Sequence, residues 1–253
     1  MMQYLTAAVI KNTQIANGIW DMLLAYEDGD AKALAGKFIS VYTGDTSKLL
    51  PRPISICDYD GQHLRLVFRE AGGGTCQIAK FKAGDEVRII APIGNGFSGF
   101  IDDSKSYAVI GGGIGAPPML LCVKNLKQPD VFLGFRDKSQ VILTDDFSKY
   151  ANVHTATDAG DYGTKGTVID LLNASGAQYD GILACGPKPM LKAITDWAEA
   201  KKIPCYVSLE ERMACSVGAC LGCVVKIKAE NGFEHKKICD CGPVFDARDV
   251  MWE

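Results

Sequence analysis

The stretch SYAVIGGGIGAPPMLLCVKNL, residues 106–126, passes from an apolar run through a glycine loop into a segment with helical spacing. Residues 107–110 are apolar, and glycine occupies four of the next five positions. A strand, a glycine turn and a helix in this order indicate a parallel sheet whose strands are joined by crossover helices. The stretch therefore predicts an α/β unit in the second part of the chain.

Strands and helices continue to alternate after this stretch. Strands are predicted in DVFLGF (130–135), DGILACG (180–186) and PCYVSL (204–209). Helices are predicted in TVIDLLNAS (167–175) and KPMLKAITDWAEAKKI (188–203). We therefore expect an α/β domain over residues 102–208.

The chain before this domain has the pattern of short β-strands. RPISICDYDGQHLRLVFRE, residues 52–70, alternates apolar and polar residues on both sides of Asp60 and Gly61, which is a hairpin signal. KFISVYTG (37–44) and DEVRIIAPIGNGF (85–97) predict further strands bounded by glycine and proline. Short antiparallel strands in this number predict a small β-barrel over residues 1–101.

The composition limits the classes of partner. The chain has 253 residues, enough for more than one core, and a formal net charge of −3. This charge favours neither nucleic acid nor an anionic membrane as a partner. The N-terminus has no basic region followed by an apolar core, and the most apolar stretch, 107–123, is interrupted by glycine and proline. We expect a cytoplasmic protein that binds neither nucleic acid nor membrane.

Three of the ten cysteines lie in MACSVGACLGC, residues 213–223. In a reducing cytosol such a group more often holds a metal than a disulfide framework. The spacing C-x4-C-x2-C with a distant fourth cysteine is that of plant-type [2Fe–2S] proteins. Here it selects Cys215, Cys220, Cys223 and Cys239. Two alternatives stay open, a zinc site of Cys220, Cys223, Cys239 and Cys241, or merely buried thiols. Residues 209–253 carry little else that would form a core, so we expect them to need their metal in order to fold.

Two turns at the carboxyl ends of predicted strands are candidates for nucleotide binding. In the first, GGGIGAPPM, a pyrophosphate would approach the backbone of Gly111, Gly112, Gly113 and Gly115 at the start of a helix. The spacing is not G-x-G-x-x-G, and a tight strand–helix turn would also favour glycine. In the second, ACGPKPM, Gly186 and Pro187 form a turn beside which Cys185 would face a nicotinamide, or be a small buried thiol.

A third candidate site lies in the barrel. Arg52 and Arg69 are suited to bind a diphosphate, with Gly74 and Thr75 as further hydrogen-bond donors. An Arg-Pro pair and a glycine-rich loop also occur simply at a strand entry and a turn. The three histidines lie near no suitable serine or cysteine, so a hydrolase triad is not supported. Glu210 and Glu211 are interpreted as a solvated or capping feature.

The chain resembles the electron-transfer subunits of dihydroorotate dehydrogenase B (NAD+), members of the ferredoxin-reductase superfamily. The resemblance covers nearly the whole chain and rests on RPIS, GGGIGAPPM, CGPKPML, SLEERMACSVGACLGC and ICDCGPVF, in this order. It implies an FAD-binding barrel, a nicotinamide-nucleotide domain and a C-terminal [2Fe–2S] domain over residues 209–253. The FAD site that it implies consists of Arg52, Pro53, Ile54, Ser55, Phe68, Arg69, Glu70, Gly74 and Thr75.

The same resemblance implies the cluster ligands Cys215, Cys220, Cys223 and Cys239. Cys241 stands where an acidic or polar residue is expected. The family passes electrons between NAD, FAD, the cluster and the FMN of a catalytic subunit that interconverts dihydroorotate and orotate in pyrimidine biosynthesis. FAD stands between the two-electron nicotinamide and the one-electron cluster. The implied assembly is a heterotetramer with two chains of each kind.

Two other functions stay open. One is a reductase subunit of the same superfamily that serves another partner, of the sulfide dehydrogenase, hydrogenase or ferredoxin:NADP oxidoreductase type. The C-x4-C-x2-C spacing after EER favours the pyrimidine enzyme over these. The other is a zinc-stabilised binding module with no enzymatic role.

Two finer predictions concern the nucleotide and the partner surface. Asp137 follows the second strand of the α/β unit and predicts NAD rather than NADP, although Arg136 beside it would suit a 2′-phosphate. Four residues near the cluster cysteines are predicted to be covered by the partner: Ser216, Val217, Leu221 and Phe245. Val217 and Leu221 would alternatively pack under the cluster.

Overall fold

The computed structural model describes residues 2–252, and the first unit of the protein is a closed antiparallel barrel. Its strands are β1 (Gln3–Ala16), β2 (Ile19–Ala25), β3 (Phe38–Val41), β4 (Arg52–Tyr59), β5 (His63–Arg69) and β6 (Glu86–Ile93). They close in the order β1-β2-β5-β4-β3-β6, which confirms the predicted barrel. Two short helices, α1 (Ala31–Leu34) and α2 (Gly73–Ile78), lie in the connections.

The predicted hairpin is formed by β4 and β5. Asp60 Oδ1 accepts hydrogen bonds from the backbone N–H groups of Gln62 at 2.9 Å and His63 at 2.8 Å, and Gly61 has a φ of +98°. This Asp-Gly turn sets the register that buries Leu64 and Leu66 inside the barrel.

The second unit is a parallel sheet with helices on both faces. Its strands are β7 (Tyr107–Gly112), β8 (Asp130–Phe135), β9 (Asn152–Thr157), β10 (Thr164–Lys165), β11 (Gly181–Cys185) and β12 (Cys205–Ser208). Its helices are α3 (Pro117–Lys124), α4 (Thr144–Ser148), α5 (Val168–Ser175) and α6 (Lys188–Lys201). The strand order is β10-β9-β8-β7-β11-β12. The order reverses between β7 and β11, so the ligand crevice of this α/β sheet is expected at their carboxyl ends.

The last segment consists of a two-stranded ribbon, a one-turn helix and a return to the large sheet. These elements are β13 (Val224–Ala229), β14 (Gly232–Lys237), α7 (Ile238–Cys241) and β15 (Val244–Asp246). β15 pairs antiparallel with β12, with Phe245 opposite Val207. The sequence does not predict this strand, which adds buried core to a segment expected to have little: Val244, Phe245 and Ala247 are buried.

The barrel and the parallel sheet are held together by α3 and by ion pairs. Every residue from Pro117 to Val123 is buried, because α3 packs between the barrel and the sheet. Lys124 Nζ lies 2.7 Å from Asp58 Oδ1, and Arg65 contacts Asp21 and Asp146 at 2.9 and 3.1 Å. These contacts fix the barrel against the crevice of the sheet. No helix within residues 2–252 is long and apolar enough to cross a membrane.

Candidate functional site

A cavity of about 500 Å³ opens between the barrel and the carboxyl ends of β7 and β11. The barrel contributes Phe38, Pro53, Ser55 and Arg69 to its lining. The sheet contributes Gly112, Gly113, Ile114, Gly115, Pro118, Cys185, Gly186 and Pro187. The structure thus brings the RPIS motif, the glycine loop and the CGP turn to one cavity. Their positions, far apart in the sequence, do not by themselves require this proximity.

The glycine loop and the CGP turn touch through their backbones. A Cβ atom at Gly115 would lie 2.6 Å from both the carbonyl oxygen of Cys185 and the Cα of Gly186. No side chain fits at that distance, so glycine at position 115 is required for the two turns to approach each other. Gly111 lies behind the loop in β7, where its backbone packs on Ala116.

Cys185 stands in the wall of this cavity as a neutral thiol. Burial, helped by the nearby charge of Glu210, raises the pKa of Cys185 to about 12, against the effect of a hydrogen bond with Ser208. A thiol with this pKa stays protonated at physiological pH and is a poor nucleophile. Its position in the cavity favours a contact role over a buried structural one.

The other predicted barrel residues surround the start of α2. Arg52 Nη1 donates to the carbonyl oxygen of Leu50 at 2.7 Å, and its guanidinium lies against Gly74, where a Cβ would come within 2.0 Å of Nε. The Thr75 hydroxyl oxygen accepts from the N–H of Ala71 at 2.9 Å and so orders the turn before the helix. Ile54 and Phe68 differ from these residues, because their side chains are buried in the barrel core.

A second cavity of about 780 Å³ continues from the first and shares Arg69, Gly112, Gly113 and Pro187 with it. Its far wall is formed by the ends of β8 and β9 and the start of α5, and is lined by Gly134, Arg136, Asp137, Asp158, Gly166 and Thr167. Glu70 also lines it and accepts a hydrogen bond from Trp20 Nε1 at 2.7 Å. The sequence predicts site roles for Asp137, Arg136 and Glu70 but not for Asp158, which follows the unpredicted strand β9, or for Thr167, which caps a predicted helix.

Four of the cysteines are grouped as two pairs. The Sγ atoms of Cys223 and Cys239 are 3.4 Å apart, and the N–H of Cys220 donates to Cys215 Sγ at 3.3 Å. All ten cysteines are free thiols. No group of three or more His, Cys, Asp or Glu side chains within residues 2–252 converges on a single-ion site. Two pairs of thiols are the arrangement that a two-iron cluster takes, because each iron is bound by two of the four ligands.

Backbone N–H groups surround these thiols. Gly218 donates to Cys239 Sγ at 3.2 Å, and Gly222 donates to Cys220 Sγ at 3.4 Å. Burial would raise the pKa of Cys215, but hydrogen bonds from the backbone of Cys220 and its neighbours lower it to about 7. Donors of this kind stabilise thiolates, which are the form that binds metal. The Ser216 hydroxyl is buried and has no hydrogen-bond partner within residues 2–252. This fits a site that binds a group able to accept a hydrogen bond from this hydroxyl.

Cys241 lies outside this arrangement. It is two residues beyond Cys239 at the end of α7, is partly exposed, and makes no hydrogen bond to the other four thiols within the described part of the chain. The geometry therefore favours Cys239 over Cys241 as the fourth ligand.

Relatives with established names share this sequence along nearly its full length. A chain from Clostridium perfringens named dihydroorotate dehydrogenase B (NAD(+)), electron transfer subunit, is 38% identical over 98% of this chain and 98% of its own. A chain of the same name from Streptococcus mutans is 39% identical over 96% of each. The chain belongs to the family of dihydroorotate dehydrogenase B electron-transfer subunits. It is therefore an oxidoreductase subunit, and the predicted resemblance is confirmed.

A family model and a solved structure agree with this assignment of the electron-transfer subunit. Residues 210–251 match the iron-sulfur cluster binding domain of dihydroorotate dehydrogenase B, a range that contains all four paired cysteines. A chain from the structure of an NADH-dependent reduced ferredoxin-NADP oxidoreductase superimposes with a TM-score of 0.85 at 25% identity, covering 97% of this chain and 90% of that one. The ferredoxin-reductase-like fold is thereby confirmed.

One wall of the first cavity is not predicted by any pattern in the sequence. It consists of Ser208, which ends β12, and the segment that follows, residues 209–213, which leads directly to Cys215. Glu210 and Glu211 line this wall; Glu210 is exposed, as a solvated residue would be, and Glu211 forms an ion pair with Lys188. The rule that ligands bind at the carboxyl ends of strands would have pointed to it, because β12 ends at Ser208.

The four residues predicted to contact the partner differ in their exposure to solvent. Leu221 and Val217 are 75% and 43% exposed, so they do not pack beneath the cysteines. Ser216 and Phe245 are 1% and 9% exposed, and their prediction as contact residues is wrong. Phe245 is buried because β15 joins the large sheet, and Ser216 because the loop turns its side chain inward at a φ of +59°.

Proposed function

We propose that this chain carries electrons between NAD and the FMN-containing catalytic subunit of a dihydroorotate dehydrogenase, in pyrimidine biosynthesis. The observation that carries the proposal is that all three parts of the chain line one cavity. Ser55 comes from the barrel, Gly113 from the parallel sheet, and Met213 from the segment two residues before Cys215. The names of the Clostridium perfringens and Streptococcus mutans relatives supply the reaction and the nucleotide.

FAD, when bound, exchanges a hydride with a nicotinamide and single electrons with an iron–sulfur cluster. On the barrel side we assign its ring to Pro53 and Ser55, which line the first cavity. The guanidinium groups of Arg52 and Arg69 would bind its diphosphate, because their fixed donors match phosphate oxygens. The remaining contacts proposed for this cofactor are with Ile54, Phe68, Glu70, Gly74 and Thr75.

The opposite wall of the first cavity is assigned to the nicotinamide. The loop from Gly111 to Gly115 allows a nucleotide to approach the backbone, and Gly186 and Pro187 limit the space beside it. Cys185 would contact the nicotinamide with an uncharged thiol, since its raised pKa keeps its proton in place. The rest of the nucleotide would occupy the second cavity, which is continuous with the first.

The four paired cysteines are assigned to the cluster. Cys215 and Cys220 would bind one iron, and Cys223 and Cys239 the other. The N–H groups of Gly218, Cys220 and Gly222 would stabilise the negative charge of the thiolates. Zinc coordination by Cys220, Cys223, Cys239 and Cys241 fits less well, because Cys215 rather than Cys241 is paired with Cys220.

In this proposal the functional division of the chain is 1–101 for FAD, 102–208 for NAD and 209–253 for the cluster. The partner would assemble as two chains of each kind, and the cluster segment would face it. A reducing cytoplasm suits a protein whose ten cysteines are free thiols.

The alternative function is that of a reductase subunit for another partner. It is supported by a structural neighbour at 25% sequence identity, whereas the relatives in the pyrimidine family are 38–39% identical.

Metal and sulfide analysis tests the cofactor assignment. The purified chain is expected to hold one FAD together with about two iron and two acid-labile sulfide per chain, as a [2Fe–2S] cluster requires. Elemental analysis, sulfide assay and the visible spectrum give these values. One zinc per chain without sulfide would contradict the assignment. Reduction of NAD by dihydroorotate, after addition of an FMN-containing dihydroorotate dehydrogenase subunit, tests the reaction itself.

Leu221→Glu tests the partner surface beside the cluster. Placing a charge on an apolar interface residue should weaken the affinity for the catalytic subunit by about tenfold or more. NADH oxidation by a small artificial acceptor should be unchanged, because Leu221 lies outside both cavities. Binding is measured by analytical ultracentrifugation or calorimetry.

Leu49→Glu is the matched control for this experiment. Leu49 is 77% exposed, like Leu221, but it lies in a barrel loop. Equal binding by the Leu221→Glu variant and the unmodified chain would place the interface elsewhere. Equal weakening by both variants would show a nonspecific effect of charge.

A further inference from the structure

Lys237 places a positive charge against the loop that holds the cysteines. It ends β14 and immediately precedes α7, the helix that carries Cys239. Its Nζ donates a hydrogen bond to the carbonyl oxygen of Gly218 at 2.6 Å and lies 3.4 Å from Asp240 Oδ2. The side chain is partly buried, so solvent screens this charge less than it screens a fully exposed one.

Gly218 connects this ammonium group to the thiols. Its N–H donates to Cys239 Sγ at 3.2 Å, while its carbonyl oxygen accepts from Lys237. Cys239 Sγ is in turn 3.4 Å from Cys223 Sγ. A φ of +77° at Gly218 lets one residue direct its N–H to the thiol and its carbonyl to the lysine. Lys237 therefore acts on the cysteine site both through its charge and by fixing the orientation of Gly218.

We propose that Lys237 is a positioning residue that raises the reduction potential of the cluster. The proposal rests on the proposed function, because it takes Cys215, Cys220, Cys223 and Cys239 as the cluster ligands. Reduction adds one electron to the site and makes no new bond, so it adds one negative charge. A fixed positive charge nearby favours the reduced form, and loss of that charge favours the oxidised form.

Lys237→Met tests this proposal in the purified, FAD-loaded chain. At a fixed solution potential the ratio of reduced to oxidised cluster should fall about tenfold, which corresponds to a midpoint lower by about 59 mV for one electron. Lys237→Arg should keep the midpoint close to that of the unmodified chain. Asp240→Asn removes a negative charge from the same place and should shift the midpoint upward. The midpoints are measured by dye-equilibrated reductive titration, followed by visible and paramagnetic resonance spectra.

Lys228→Met is the matched control. Lys228 Nζ also donates to a backbone carbonyl, that of Arg248 at 2.6 Å, but within residues 2–252 it has no hydrogen bond to the cysteine loop. The midpoint potential of the cluster in Lys228→Met should equal that of the unmodified chain. Midpoint shifts of opposite sign for Lys237→Met and Asp240→Asn would identify an electrostatic effect. A merely structural defect would not be expected to shift the midpoint in opposite directions in the two variants.

Other results would overturn either the inference about Lys237 or the proposed function. A Lys237→Met chain that holds iron and sulfide and keeps the original midpoint overturns the inference, as does an equal shift in Lys228→Met. If Lys237→Met fails to hold its cluster, an unchanged midpoint in Asp240→Asn overturns the inference. An unmodified chain without iron and sulfide would instead overturn the proposed function.

Discussion

Cys239→Ser and Cys239→Ala are expected to lose the [2Fe–2S] cluster, whereas Cys241→Ser is expected to keep it. The reason is the position of the two thiols. Cys239 is buried, accepts the N–H of Gly218 and lies 3.4 Å from Cys223 Sγ. Cys241 follows one half-turn later, is partly exposed and makes no hydrogen bond to the paired thiols within residues 2–252.

The measurements are the visible spectrum and the iron and sulfide content per chain. In the Cys239→Ala variant, iron and sulfide should fall to a small fraction of the original values, because a [2Fe–2S] cluster needs four ligands. FAD should be retained, since the proposed flavin residues lie in the barrel. Alanine is included because a serine oxygen can sometimes replace a thiolate.

The variants at position 241 provide the control. A Cys241→Ser chain with unchanged iron, sulfide and spectrum supports the assignment. If Cys241→Ser loses the cluster and Cys239→Ala keeps it, the fourth ligand is Cys241. Loss of FAD from the Cys239 variants would show that the barrel was disturbed as well, and the ligand assignment would then fail.

The fold could be predicted wherever the chain carries a strong local pattern. Residues 107–126 contain a fully buried strand, a glycine loop and a helix. Each of these is recognisable from its own sequence, without knowledge of the residues that it contacts in the folded chain. β9, in contrast, reads NVHTAT, and its first four residues show little apolar character. β15 has only three residues, and it becomes a strand because β12 offers an edge to it. Local patterns do not contain that information.

The same distinction applies to the site. The glycine loop, the CGP turn and the cysteine spacing are visible in the sequence because each chemistry needs a particular residue type at a particular distance. The wall formed by residues 208–213 has no such mark, and its glutamates resemble ordinary surface residues. They reach the cavity because the pairing of β12 with β11 and β15 fixes Ser208, where this segment begins, at the edge of the cavity. Sites that tertiary structure assembles from unremarkable residues are the part that sequence reasoning misses.

NADH is expected to be preferred over NADPH by about 100-fold or more in kcat/KM, because like charges placed together cost several kcal/mol. Asp137 and Asp158 both line the second cavity, so a 2′-phosphate there would meet two carboxylates. Hydrogen bonds from Ser139 lower the pKa of Asp137, which keeps it ionised at neutral pH. Both bonds from Ser139, at 2.9 Å from its N–H and 2.5 Å from its Oγ, go to Asp137 Oδ1. Oδ2 is left to accept a ribose hydroxyl.

Steady-state kinetics with an artificial acceptor measure this preference in the unmodified chain and in matched variants. Asp137→Asn should lower the NADH to NADPH ratio by about tenfold, since it removes the repulsion and weakens the ribose contact. Asp145→Asn, at an exposed position in α4 outside the cavity, should leave the ratio unchanged. Arg136→Ala should raise the ratio, because the guanidinium of Arg136 lines this wall and would attract a 2′-phosphate. A preference of the unmodified chain for NADPH would show that Arg136 rather than Asp137 determines the choice of nucleotide.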